Sequence, residues 1–143
     1  MKAIRFLVFV FIASAGLRPA ASAELVMVEQ AGCAWCEAWD QAIAPAYPNT
    51  AEGRLAPLRR VNIHDALPED LAFIRRLVYT PTFVLVHDGR EVGRITGYPG
   101  EDFFWGLLGQ LVEKLPASAR TDTRAGLLPV PESGNTNPQA PRG

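Results

Sequence analysis

Gly32-Cys33-Ala34-Trp35-Cys36 holds both cysteines of the chain, and its neighbours on either side decide the fold. Before it, Glu24-Leu25-Val26-Met27-Val28-Glu29-Gln30 is short, apolar and β-prone, which predicts a central strand. Ala31-Gly32 supplies a turn. After it, Cys33 to Ala44 carries good helix formers with no internal glycine or proline, until Pro45 ends the run. A thiol pair at that junction has three chemical readings: a redox dithiol, half of a four-thiolate metal site, or two unrelated buried thiols. A structural zinc site needs four ligands, and only His64 and His87 remain to complete one. Dithiol chemistry suits the position, because the positive end of a helix and its free N–H groups stabilise a thiolate on the first cysteine. On that reading Cys33 is the nucleophile and Cys36 the resolving thiol.

Upstream, Met1-Lys2-Ala3-Ile4-Arg5 is basic, Phe6 to Ala15 is apolar, and Ala21-Ser22-Ala23 is a small-x-small pattern. That order reads as a secretory signal peptide over residues 1–23, with an apolar run short for a membrane span; the competing reading is an uncleaved anchor. Loss of this leader removes Lys2, Arg5 and Arg18 from 14 basic residues and leaves the 15 acidic ones, a net charge of about −4. No basic track for nucleic acid remains, since Arg59-Arg60 and Arg75-Arg76 are isolated pairs that read as solvated strand and helix positions. Export to an oxidising compartment fits paired cysteines, and a loop this short is a poor structural staple.

Downstream, Pro48 and Gly53 mark a break, and Leu55 to Ile63 reads as a second strand, parallel to the first and near the sheet edge. Pro68 with Glu69 and Asp70 opens a predicted helix running to about Arg76, with Leu71, Ile74 and Leu77 facing inward. Thr82 to His87, Asp88-Gly89 and Glu91 to Thr96 predict a hairpin. Glu101 to Leu115 reads as a last helix packed through Phe103, Phe104, Leu107, Leu108 and Leu111, with Trp105 also inward. From Pro116 the composition turns to proline, glycine, serine and asparagine, so residues 116–143 are expected to be a disordered tail. One domain over residues 24–115 follows, in the order βα, β, α, ββ, α.

With Cys33-Ala34-Trp35-Cys36 after the first strand, Thr80-Pro81-Thr82 opening the hairpin, Asp88-Gly89 at its turn and Gly97 before the closing helix, the chain resembles the thioredoxin superfamily. The stretch from Val78 to Gly100 is similar to the exported thioredoxin-like proteins of bacterial sulfur-oxidation clusters, often called SoxS. The resemblance implies an α/β, thioredoxin-like fold: a minimal βαβ-ββα core, with a central mixed four-stranded sheet and helices on both faces. It implies a cis peptide bond before Pro81 and a groove in which the backbone of Thr80 holds an extended segment of a partner. It also implies thiol:disulfide oxidoreductase activity with no cofactor beyond the Cys33-Cys36 couple. The implied partners are periplasmic protein disulfides or thiol adducts, among them a sulfur-carrier protein, with a membrane thiol-transporting reductase as electron donor and the protein itself monomeric. Two departures stand out. Met27 occupies the place, six residues before the first cysteine, where typical thioredoxins carry a buried aspartate thought to help move the second thiol's proton. Ala34-Trp35 replaces the usual Gly-Pro. Glu29 and Glu37 are the candidate substitutes for the missing carboxylate.

Trp35, held between the two cysteines at a helix start, is expected to be a contact surface for the partner, whereas Trp39 is expected in the core. His64 and His87 read as hydrogen-bonded loop histidines. Other readings use the same thiols: a disulfide oxidase or isomerase, and a Cu(I) metallochaperone with two thiolates and a histidine. A peptide-binding module with spectator cysteines is a further class.

Overall fold

Alternating apolar runs set the sheet, and the computed structural model describes residues 23–120. The first strand forms as β1 (Ala23–Glu29), followed by α1 (Ala34–Ala42), a 3-10 turn (Tyr47–Asn49) and α2 (Ala51–Leu55). Then come β2 (Leu58–Asn62), a second 3-10 turn (Glu69–Leu71), β3 (Thr82–His87), β4 (Arg90–Thr96) and α3 (Glu101–Glu113). The sheet order is β2-β1-β3-β4. β2 runs parallel to β1 at the edge, with Met27 opposite Arg60, while β3 is antiparallel to β1, with Val28 opposite Thr82. At the hairpin tip Asp88 (φ 52°) and Gly89 (φ 66°) both take positive φ, which a tight turn between right-twisted strands requires.

Strand alternation divides the core in two. Leu25, Met27, Phe83 and Leu85 face α1 and α3, packing with Trp39, Phe104, Leu108 and Leu111. Trp39 meets Phe83 at 5.1 Å between ring centroids, and Phe83 meets Phe104 edge-on at 4.9 Å, tilted geometries that suit aromatic quadrupoles. Val26, Val28, Val84 and Val86 face the opposite side and are covered by Leu71 and Ile74.

Three expectations are corrected. The helix predicted from Pro68 to Arg76 is a single 3-10 turn with irregular chain beyond it. Its bonds close three residues back, from Leu71 N to Pro68 O and from Ile74 N to Leu71 O. That spacing alone buries Leu71 and Ile74, and Arg76 at φ 57° ends any helical path. On α3, Phe103 and Leu107 are exposed, because the buried stripe is Phe104, Leu108, Leu111 and Leu115. Residues 117–120 are helical and Ala119 packs partly on the core, so order continues past Pro116; the proline accepts from Arg120 N at 3.3 Å and opens this turn. The expected leader, except Ala23, and the rest of the expected tail lie outside the described residues. Ala23 itself is buried and pairs with His87.

Candidate active site

The turn after β1 delivers Cys33 as the N-cap of α1. Its backbone is extended (φ −83°, ψ 99°), its carbonyl accepts Glu37 N–H at 3.0 Å, and its Sγ accepts Cys36 N–H at 3.1 Å. A sulfur at this place receives an orphan helix N–H and the positive end of the helix dipole, both of which favour a thiolate. Cys33 and Cys36 are joined in a disulfide, with Cα atoms 5.2 Å apart. Both residues are buried, yet both line a cleft of about 300 Å3. Trp35, between them, is 64% exposed, and Trp39, one turn on, is fully buried.

Sheet register places the second predicted segment at the same end of the molecule. Because Thr82 pairs with Val28 and with Thr96, Thr80 and Pro81 stand beside the end of β1 from which the cysteine turn departs. The Thr80–Pro81 peptide bond is cis. Pro81 is buried and its carbonyl accepts Gly97 N–H at 2.7 Å, while Thr80 is half-buried. Just before them Val78 and Tyr79 are 67% and 66% exposed. Sequence reasoning missed these two; their position next to Thr80 was the available signal.

The cleft has an acidic wall that depends on one cation. Arg60, on edge strand β2, bonds Glu29 Oε2 at 2.5 Å through Nη1 and Asp40 Oδ1 through Nη2, with its guanidinium carbon 5.6 Å from the centroid of the Trp39 ring. The Asp40 hydrogen bond, aided by attraction to Glu29 and opposed by partial burial, holds the Arg60 pKa above its ordinary value. Arg60 is exposed on the edge strand, as expected, but it is also bound to two carboxylates and permanently charged. Glu37 also lines the cleft and is exposed. Asp40 was missed, although its place one turn after Cys36 was an available signal; the reach of Arg60 had none, since it depends on the parallel register. Met27 is fully buried and shares an apolar cluster with both cysteines.

The histidines are apart from one another. His64 Nε2 lies 2.9 Å from Gln30 Oε1, near the cleft, whereas His87 ends β3 opposite Ala23, at the other end of the sheet. Among the described residues no group of three or more His, Cys, Asp or Glu side chains is arranged to hold a metal ion.

The chain is similar to the crystal structure of the periplasmic thioredoxin SoxS from Paracoccus pantotrophus in its reduced form: 49% sequence identity and a TM-score of 0.63, over 65% of this chain and 98% of that one. No family model and no curated protein sequence matches it.

Proposed function

From the premise that the chain belongs to the thioredoxin superfamily and is a thiol:disulfide oxidoreductase, we propose that it is an exported reductant of periplasmic protein disulfides or thiol adducts. Cys33 attacks the partner's sulfur and forms a mixed disulfide; Cys36 then attacks Cys33, closes the intramolecular disulfide and frees the reduced partner. The reaction runs on this dithiol itself. Trp35, Thr80 and Pro81 form the docking margin, with the backbone of Thr80 available to an extended segment of the partner.

The observation that carries this reading is the placement of the disulfide at a helix N-terminus, in a cleft beside exposed Trp35. Export is supported by the basic-apolar-small order of residues 1–23 and by the periplasmic description of the similar protein. The resemblance of the stretch from Val78 to Gly100 to the thioredoxin-like proteins of sulfur-oxidation clusters is what suggests a blocked sulfur-carrier protein as partner. A reductant in an oxidising compartment needs electrons from elsewhere, so a membrane thiol-transporting reductase is the donor.

Trapping tests the roles. Cys36→Ser should accumulate a disulfide-linked partner from a periplasmic extract, and Cys33→Ser should not; equal trapping by both would refute the assignment. The reduction potential of the couple tests the direction of electron flow: a value near that of thioredoxin, about −270 mV, supports a reductant, and one near −120 mV makes the protein an oxidase.

A further inference from the structure

Resolution requires Cys36 to lose a proton, and the structure limits where the resulting charge is tolerated. Beneath Cys36 the shared cluster is apolar, with Met27, Trp39 and Phe83 all fully buried. The charged groups on the cleft are Glu29 from β1, Glu37 and Asp40 from α1, and Arg60 from β2; His64 stands behind Gln30. A thiolate forming here meets three carboxylates and a single cation. Like charges disfavour ionisation and an opposite charge favours it.

We propose that Arg60 is the residue that allows Cys36 to ionise: it neutralises Glu29 and Asp40 on the cleft wall, so that the proton leaves to solvent through the cleft and the carboxylates do not act as its acceptor. This rests on the roles given above to Cys33 and Cys36. Both nearby carboxylates already accept hydrogen bonds from a guanidinium, so each has an oxygen engaged by Arg60 and turned toward it, and Arg60 is tied down on two sides and over a ring. Arg60 is thus a positioning residue acting through charge. In the step itself the Cys36 thiolate attacks Cys33 Sγ, the Cys33–Cys36 bond forms, the bond from Cys33 to the partner breaks, and the partner's sulfur leaves with the electron pair. The dithiol is oxidised by two electrons and the partner is reduced.

Mixing the reduced full chain with one equivalent of dithiobis(nitrobenzoate) separates the steps. The first nitrothiobenzoate released reports attack by Cys33, and the second reports resolution by Cys36. Arg60→Met should slow the second release about tenfold at neutral pH and move its pH–rate profile up by about one unit, since one unit of thiol pKa is tenfold in thiolate. Arg60→Lys should keep the rate. Asp40→Asn and Glu29→Gln, which leave Arg60 in place, should each speed the second release, and Asp40→Asn combined with Arg60→Met should restore it. Slowing by Asp40→Asn or Glu29→Gln would make a carboxylate the proton acceptor and overturn the proposal, as would an unchanged second release in Arg60→Met. Failure of the first release in the unsubstituted chain would instead refute the role of Cys33.

Discussion

Tyr47 carries a pH dependence that the sequence alone did not announce. The residue is buried at 1% exposure, its hydroxyl donates to the Ala56 carbonyl at 2.7 Å, and its ring stacks on Trp105. Burial, with repulsion from Glu52 added, pushes the phenol well above the ordinary tyrosine range. A pKa raised by folding means that the neutral form is the one the fold holds. The contribution is complete below the unfolded value of about 10 and is lost as pH rises beyond it. Tyr47→Phe should cost about 1 kcal/mol at neutral pH, the net worth of the hydrogen bond. It should also flatten the alkaline fall in stability, read as the urea midpoint between about pH 8 and 11, a window that spans the free phenol pKa. The same alkaline fall in both proteins would place its source elsewhere.

Elements were legible where local chemistry and packing agree. The four strand segments, the Asp88-Gly89 turn and the first and last helices all follow from periodicity and turn residues. The segment after Pro68 failed because Leu71 and Ile74 at a spacing of three suit a 3-10 turn as well as a helix. Contacts from elsewhere then decided it: Asp70 pairs with Arg59, and Arg94 Nη1 donates to the Arg75 carbonyl at 3.0 Å. The short helix α2 was missed because Gly53 reads as a breaker. Thr50 in fact caps it, accepting Gly53 N–H at 2.9 Å while its hydroxyl donates to the Tyr47 carbonyl at 2.8 Å. The glycine is there for space: a Cβ at position 53 would lie 1.8 Å from the Tyr47 carbonyl oxygen. Gly53→Ala therefore displaces backbone, whatever helix propensity gains. A loss of about 2–3 kcal/mol is expected by chemical denaturation, in the range of overpacked sites; a stabilised variant would show that α2 shifts freely.

At the scale of the molecule, the site is a meeting of segments that no local pattern joins. The similarity of the cysteine pair and Thr80-Pro81 to a known family identified two of them. The parallel register that brings Arg60 to the cleft, and the irregular chain that leaves Val78 and Tyr79 outward, are products of assembly. Trp35, Val78 and Tyr79 are each about two-thirds exposed, and exposed tryptophan and tyrosine are preferred anchors at protein interfaces. They contribute nothing to the two core clusters, so removing them should leave folding intact and act on docking alone. Trp35→Ser and Tyr79→Ser should each raise KM for a protein disulfide such as insulin about fivefold, the equivalent of roughly 1 kcal/mol of lost contact. The rate with a small aryl disulfide should stay unchanged. Arg90→Ser, at the hairpin end of the sheet opposite the cleft, should alter neither. If the small disulfide slows as much as insulin does, these side chains shape the thiols themselves and are not a docking margin.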